Sequence, residues 1–413
     1  MTSTPLSLPQ FHAREFLILL QVVVLYLFSS LFQSHRTALL IITFAYLVVF
    51  LFHDNPQFRA FLALIAVFIF MFGITYEAVH QREILLSQFN TSDAVVQMES
   101  AGKLFLHGKN PYAEDYFGTE LQEIDDLNTE KTYWKKLGLD HNPAMYHFAY
   151  PPGAFLIPAA LTSVTGPIDL RLLFLPFELL GLILLFMLIR HHELKILGVL
   201  LWGLLHLFGG LAIGAMDLFI ISILLIALLL MQRNHHLAAA VLFGIMGAVK
   251  QSVWIVIGLV LIWAFWQKKL KTYMVAPIIV VLVLLPFLLW NPVAMVDDML
   301  LYFANATAYA YPINIEAGGM PLLLQTIGLS FAQIQAFPYF VLQLLVGIPL
   351  LVLIARKLQK MSDPHYIYVY SGVLVFGVAV VYKFPHFNYF NFALTLFALG
   401  MLFIIDHGDK KIE

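Results

Sequence analysis

Asp93 is the first residue of this chain whose type and position could do chemistry. It comes shortly after the apolar segment 60–79 and opens a stretch with helical spacing of apolar residues, and Gln97 lies one turn further on. A carboxylate at a membrane–water boundary can accept the proton of a hydroxyl group. Asp is equally common as the cap of a helix. Residue type and position leave both roles open.

Lys250 lies in the sequence Gly-Ala-Val-Lys-Gln-Ser between two apolar segments. A cation at that depth is costly, and it is therefore a candidate for binding an anion. Two other roles are equally compatible with the sequence. The side chain can reach to the interface, or it can pair with Asp217, whose position at a predicted helix start is also explained by capping.

A third group of polar residues lies between the last two apolar segments. Lys383, His386 and Asn388 occur within the sequence Lys-Phe-Pro-His-Phe-Asn-Tyr. A cation, an imidazole and an amide together can bind an anion or a sugar. The surrounding aromatic residues are also typical of the belt that membrane proteins place at the interface, so this alternative stays open.

The composition places these residues in a membrane protein. Of the 413 residues, 61% are hydrophobic and only 12% are charged, with a mean hydropathy of +0.85, whereas soluble domains are about 45–50% apolar and about 25% charged. The net charge of −2 gives no basic field for nucleic acid. The absence of cysteine excludes disulfides, thiolate metal ligands and a cysteine nucleophile.

Apolar segments of roughly the 20 residues that a spanning helix needs recur along the chain. They predict an all-α polytopic membrane protein, a bundle of about twelve helices in one domain (1–413). The predicted spans are 16–33, 38–53, 60–79, 172–189, 195–212, 217–231, 237–250, 252–266, 273–290, 336–355, 366–382 and 388–405. Segments 153–165 and 320–332 are shorter, and we expect re-entrant or surface helices there.

Charge predicts the orientation. Lysine and arginine are concentrated in short loops that belong on the cytoplasmic side, namely 190–195, 232–233, 268–271, 356–360 and 410–411. Both termini are then cytoplasmic in a plasma (cytoplasmic) membrane. The long acidic loop 81–152, inserted after the third span, falls on the outer face and is expected to carry the chemistry.

The outer loop itself contains recognisable elements. From Asp93 an amphipathic helix of about fifteen residues is predicted to end at Gly108 and to lie on the membrane surface. A turn at Asn110-Pro111 follows. The polar stretch 114–140 is expected to be solvated, with a short helix near 129–137. Pro151-Pro152 suits the start of the helix at 153–165.

Taken in order, these motifs resemble those of the GT-C superfamily of glycosyltransferases. The resemblance is more specifically to family 87, the polyprenyl-phosphate-mannose-dependent mannosyltransferase type. The matching positions are Asp93, Ala101-Gly102, Gly108, Asn110-Pro111-Tyr112, Tyr150-Pro151-Pro152 and Gly247-Ala-Val-Lys-Gln251. The spacing between the two loop motifs exceeds that usual in the family, so 114–140 is interpreted as an insertion.

The resemblance implies a function. A hexose, mannose in the family, would be transferred with inversion from a polyprenyl-phosphate donor to a hydroxyl of a lipid or glycan acceptor on the outer face, with membrane lipids as surroundings. It implies Asp93 as general base and Lys250, Lys383, His386 and Asn388 as the groups around the donor's phosphate and sugar. The expected cavity lining is Gln97, Asn110, Tyr112, Tyr150 and Asp217.

No cofactor or metal is expected, because no His-x-x-x-His pair lies on an outer helix face. If a divalent cation took part, the paired acids Glu114-Asp115 and Asp125-Asp126 would be its sequence candidates.

Two rival functions remain. A lipid-linked glycan flippase or a small-solute transporter would need a polar path, yet ionisable residues within the predicted spans are few and no internal repeat is visible. An O-antigen polymerase or ligase would be expected to carry its large loop in the C-terminal half and to be rich in arginine there. Here the loop lies early and is acidic.

Overall fold

A computed structural model describes residues 55–84, 91–209, 216–302, 318–385 and 387–408, together with Thr307, Ile313 and Ile315. The predicted spans 16–33 and 38–53 lie outside these residues. The described residues form helices, with no strand among them.

Each predicted span between residues 60 and 405 coincides with a helix, and the loops contribute shorter ones. In chain order the α-helices are α1 Pro56–Ile84, α2 Asp93–Leu106, α3 Glu120–Asp125, α4 Asn128–Lys136, α5 Gly153–Thr165, α6 Leu170–Leu188, α7 His192–Gly209, α8 Asp217–Gln232, α9 His236–Gly247, α10 Ser252–Trp266, α11 Leu270–Tyr273, α12 Val275–Trp290, α13 Pro292–Val296, α14 Gly319–Thr326, α15 Phe331–Gln335, α16 Tyr339–Leu358, α17 His365–Val380 and α18 Phe387–Gly408. A 3-10 turn covers Pro143–Met145, and a π-helical turn covers Asp297–Leu301.

Five helical segments among the described residues are long and apolar enough to cross a membrane. They are Pro56–His80, Leu170–Leu188, Leu270–Trp290, Tyr339–Leu358 and Asn388–His407. Five further apolar helices are shorter: α5, α8, α9, α10 and α17. The prediction of a helical membrane protein is confirmed at this level, while the number of twelve spans stays a prediction.

Apolar side chains cover much of the outside of the bundle. In α16 only 11% of the apolar stretch is buried, and Phe340 and Leu345 are about two-thirds exposed. Leu289 of α12 is 74% exposed. Such a continuous apolar exterior is unfavourable in water and is the surface expected of helices solvated by lipid.

Helices approach one another closely where small residues face a neighbour. Gly372 of α17 lies against the backbone of Ala393 in α18, and a Cβ at Gly400 would come within 2.6 Å of Val369. A Cβ at Gly244 of α9 would likewise lie 2.9 Å from the backbone oxygen of Ala276 in α12. Small residues at such crossings allow van der Waals contact between backbones, which is the main source of helix association in lipid.

Helix α2 has the predicted start and end. Ser92 accepts a hydrogen bond from the Ala94 amide, and Gly108, with φ +76°, ends the helix. Val95 and Ala101 are fully buried, so the apolar face contacts protein, and the position of the helix at the membrane surface stays a prediction. The burial has a tertiary cause: Gly102 allows α2 to pack directly on the backbone of α5.

The segments that were too short to assign as spans are short helices. Helix α5 has 13 residues and begins directly after Pro151-Pro152, and segment 320–332 contains α14 and α15, of eight and five residues. All three are shorter than the roughly 20 residues that a spanning helix needs. The short helix predicted near 129–137 is present as α4.

Candidate functional site

A network of buried charges, here called the loop network, holds the outer loop together. Arg82 at the end of α1 donates to Glu99 of α2 at 2.5 Å, to Glu120 of α3 at 2.9 Å and to Asp169 at 2.9 Å. Arg171 donates to Asp169 at 2.7 Å. The network therefore ties the end of α1 to α2, to α3 and to the start of α6.

The electrostatics of the loop network follow from its burial. Burial raises the pKa of Glu99 above its usual value, although hydrogen bonds from Arg82 oppose the shift. Burial acts in the same direction on Asp169, but there Arg171 and Arg82 prevail and lower its pKa. Each carboxylate has a partner, so the network is a structural device that fixes the position of α2.

Asp93 lies at the N-terminus of the helix thus fixed. One carboxylate oxygen accepts from the amide of Ala94 at 2.7 Å, and the other accepts from Asn142 Nδ2 at 2.8 Å. The side chain is half-buried, so it remains reachable from the loop's surface. The N-cap of the helix is Ser92, so Asp93 is an acid of the first turn with an accessible, oriented carboxylate.

Gln97 is buried and belongs to the wall of the site. Its Nε2 donates to the backbone oxygens of Ala144 and His147, both at 2.6 Å. Both amide hydrogens are thereby used to hold segment 142–147 against α2. Gln97 was expected to line the cavity. In the structure it lies behind that lining and holds segment 142–147 in place.

The Asn-Pro-Tyr motif folds back onto the second loop motif. The hydroxyl of Tyr112 donates to the backbone oxygen of Tyr150 at 2.7 Å. Asn110 accepts from the Tyr112 amide at 3.2 Å, while its Nδ2 is buried and has no hydrogen-bond partner among the described residues. The two ends of the loop, which are about forty residues apart, therefore meet as one wall.

Lys250 forms the ion pair with Asp217 that the sequence offered as an alternative. The Nζ–Oδ1 distance is 2.5 Å, and the side chains are 12% and 6% exposed. In the described part of the chain, Asp217 Oδ2 is buried without a hydrogen-bond partner. The pair thus retains one carboxylate oxygen that can accept a hydrogen bond from a ligand.

The turn that carries Lys250 is joined to the outer loop. Gln251 donates to the backbone oxygen of Ala149 at 2.6 Å, and the amide of Gly153 donates to Ala248 at 2.8 Å. A Cβ at Gly153 would lie 2.5 Å from the Ala248 oxygen, so glycine is required at this approach. The Tyr-Pro-Pro-Gly motif is therefore the connection between loop and bundle.

Lys383 lies in the turn after α17 and is only 4% exposed. Its Nζ has no hydrogen-bond partner within the residues that the structure describes, and burial lowers its pKa to about 7. Asn388 lies at the start of α18, and Asp217 acts electrostatically on the neighbouring Tyr389. His386 lies outside the described residues.

The predicted residues thus form two groups that share one wall. Asp93 and Gln97 contact segment 142–147, and Lys250, with Asp217, is joined through Gln251 to the continuation of that segment at Ala149. Lys383 and Asn388 precede and begin α18, which packs against α8, the helix that begins at Asp217. The opposite ends of these two helices meet at His365, which contacts Gln232 and Phe403. All of these lie at the end of the bundle that the outer loop covers.

A cluster of His147, Asp297 and Asp298 was not identified from the sequence. Nδ1 of His147 lies 2.8 Å from Asp298 Oδ1 and 3.5 Å from Asp297 Oδ2. Potential ligand atoms of the three residues lie within 4.8 Å of one another, so they could hold a metal ion. No local signal could have revealed the cluster, because 150 residues separate its two halves.

The paired acids that the sequence offered for a divalent cation have other partners. Asp125 contacts His141 Nδ1 at 2.6 Å, and the exposed Asp126 pairs with Lys131 at 2.8 Å. Glu114 pairs with Lys109 at 2.8 Å. These contacts engage the acids in local ion pairs along the loop.

Comparison of the chain with protein-family models, with curated proteins and with solved structures gave no match.

Proposed function

We propose that this protein is a GT-C-type glycosyltransferase that transfers a hexose, mannose in the family it resembles, from a polyprenyl-phosphate donor to a hydroxyl of a lipid or glycan acceptor. The observation that carries the proposal is the buried ammonium of Lys383, which has no hydrogen-bond partner among the described residues. An unpaired buried charge is costly. A donor phosphate bound there would supply the missing partner.

Lys250 supports the same assignment from a neighbouring helix end. It is held by Asp217 at 2.5 Å, so its position is defined before a ligand arrives. Cations fixed in this way stabilise the charge that develops on a leaving phosphate, because they need no reorganisation during the reaction. The remaining oxygen of Asp217 can accept a hydrogen bond from a sugar hydroxyl.

Asp93 is proposed as the general base. The acceptor hydroxyl gives its proton to the Asp93 carboxylate while its oxygen forms a bond to the anomeric carbon from the face opposite the phosphate. The bond between that carbon and the phosphate oxygen breaks, and polyprenyl phosphate leaves with inversion. Asn142 orients the carboxylate through one oxygen at 2.8 Å, which is the kind of positioning that general base catalysis requires.

The surroundings suit a lipid-linked substrate. The apolar exterior of the bundle would contact membrane lipids, and the polyprenyl chain of the donor would lie along it. We propose that the outer loop faces away from the cytoplasm, with both termini cytoplasmic in the plasma membrane, because lysine and arginine are concentrated in the loops at the other end.

The direct test is transfer of labelled mannose from polyprenyl-phosphate mannose by membranes that contain the protein, with a lipid extract as acceptor source. Asp93→Asn should lower the rate at least about a hundredfold, because general base catalysis contributes about 10² to 10⁴ in rate. Asp126→Asn, which alters an exposed acid of the same loop, is the matched control and should leave the rate unchanged. Full activity of a well-expressed Asp93→Asn variant would refute the assignment of the base.

A flippase or solute transporter is the second candidate, and one observation favours it. Glu178 of α6 and His206 of α7 form a fully buried pair at 2.8 Å inside the bundle. Ionisable residues in such positions often mark transport paths. Counterflow of a lipid-linked glycan or solute in proteoliposomes, without formation of a glycosylated product, would favour this function over transfer.

A further inference from the structure

We propose that His147, Asp297 and Asp298 form a binding site for a divalent transition-metal cation, Mn²⁺ or Zn²⁺. Binding of the cation does not depend on the proposed glycosyltransferase function.

The two acids are brought to one side by an unusual backbone turn. Asp297 and Asp298 begin the π-helical turn Asp297–Leu301, which follows the short helix α13. Both carboxylates reach Nδ1 of His147, at 3.5 Å and 2.8 Å. π-helical turns are rare and occur frequently at functional sites. In this turn, the carboxylates of two consecutive acids therefore both lie close to one histidine.

The distances suit a single ion. Metal–ligand bonds to histidine nitrogen and carboxylate oxygen are about 2.1 Å, so ligand atoms around one ion lie roughly 3.0 to 3.4 Å apart in octahedral or tetrahedral geometry. The observed separations of 2.8 Å and 3.5 Å lie on either side of that range. Potential ligand atoms, one from each of the three residues, lie within 4.8 Å of one another, so one ion can reach all three side chains.

The charges also call for a cation. Asp298 is 2% exposed, and a buried carboxylate needs a compensating charge. Asp297 adds a second carboxylate, 3.5 Å from the same nitrogen of His147. A divalent cation at this point would compensate both carboxylates.

Neighbouring groups already orient the ligands, as they do in metal sites. The amide of Phe148 donates to Asp298 at 2.8 Å, and the hydroxyl of Thr307 donates to Asp297 at 3.0 Å. Gln97 holds the backbone oxygen of His147 at 2.6 Å. The two carboxylates are therefore held by side-chain contacts outside the cluster, and His147 is held through its backbone.

The donor set selects the class of ion. One imidazole nitrogen and two carboxylate oxygens suit Mn²⁺ or Zn²⁺ better than Mg²⁺, which prefers oxygen ligands and water. The Asp297 side chain is 33% exposed, so a coordination position remains open for an oxygen ligand. That this ligand is a phosphate or sugar oxygen rests on the proposed function.

The test uses the full chain in detergent after treatment with a chelator, titrated with Mn²⁺ while free Mn²⁺ is measured by electron paramagnetic resonance. We expect one site in the unaltered protein and displacement of its Mn²⁺ by Zn²⁺ at lower concentration than by Mg²⁺. Asp298→Asn and Asp297→Asn should each weaken binding at least about tenfold, since even outer contacts of a metal site are worth 10- to 100-fold.

Asp125→Asn is the matched control, because Asp125 also contacts a histidine, His141, at 2.6 Å. It should leave Mn²⁺ affinity unchanged. If the buried Asp298 variant fails to fold, the partly exposed Asp297 variant carries the same comparison. Absence of stoichiometric Mn²⁺ and Zn²⁺ binding, or unchanged affinity in the folded Asp297→Asn variant, overturns the proposal. The measurement contains no donor, so its outcome is independent of whether the protein transfers sugar.

Discussion

The loop network and the two lysines at the end of the bundle that the outer loop covers differ in how many partners their buried charges have. In the loop network, Arg82 has three carboxylate partners and Asp169 has two arginine partners. At the bundle end, Lys250 has one partner, and Lys383 has none within the described part of the chain. A network in which every charge has a partner holds helices together, whereas a charge that lacks a partner can pair with a ligand. The comparison separates residues that build the site from residues that could use it.

The largest expected effect is on stability, from a substitution in the loop network. Arg82→Met would leave three carboxylates without their common partner, and breaking a buried ion pair from one side costs about 3–5 kcal/mol. We expect the free energy of unfolding in mixed micelles to fall by about that amount. Arg233→Met, at an exposed arginine after α8, is the control and should change it by less than about 0.5 kcal/mol. Equal stability of the two variants would contradict the structural role of the loop network.

The Lys250–Asp217 pair should behave as an intermediate case. Lys250→Met leaves the Asp217 carboxylate, which is 6% exposed, without its ion-pair partner, so unfolding free energy should fall by about 3 kcal/mol. The double variant Lys250→Met with Asp217→Asn should recover part of that loss, because no charge then remains unpaired. Thermal unfolding of the three proteins in detergent measures this, and a double variant less stable than Lys250→Met would contradict it.

Lys383→Met should weaken ligand binding without lowering stability. Removal of a buried amino group that has no partner among the described residues should leave the unfolding free energy unchanged or raise it, because burial disfavours its charged form. Affinity for the polyprenyl-phosphate donor should nevertheless fall by about 10- to 100-fold, the equivalent of one charge-assisted hydrogen bond of about 1.5–3 kcal/mol. The measurement is donor binding together with thermal unfolding, and lower stability with unchanged donor affinity would assign Lys383 to the structure instead.

The smallest expected effect, counted per pH unit, concerns the titration of Lys383. Burial lowers the pKa of Lys383 to about 7, whereas an unfolded lysine titrates near about 10.4. Between these values the unfolded chain binds more protons than the folded one, so stability should rise with pH, by at most about 1.4 kcal/mol per unit from this residue. Below pH 7 both forms are protonated and the contribution is constant. Comparing the pH profiles of unfolding for the unaltered protein and Lys383→Met isolates this rise, which the variant should lack.

Local features of the outer loop could be predicted because they depend on neighbouring residues. The start of α2 at Asp93 and its end before Gly108 follow from capping and from the left-handed backbone that glycine accepts. Pro151-Pro152 marked the start of α5 in the same way. The ion pair between Lys250 and Asp217 was available as an alternative, because both were expected at helix ends of the same side.

The sequence alone therefore determined the class of protein, because hydropathy over 20 residues decides whether lipid can solvate a helix. It also determined where most helices begin and end. Only the tertiary structure decided which charges are satisfied: Arg82 meets acids 17, 38 and 87 residues away, and His147 meets Asp298 across 151 residues. Such contacts depend on how helices pack and on which small residues allow close approach. No local pattern encodes that, and so the lack of a partner for Lys383 among the described residues became visible only in the folded chain.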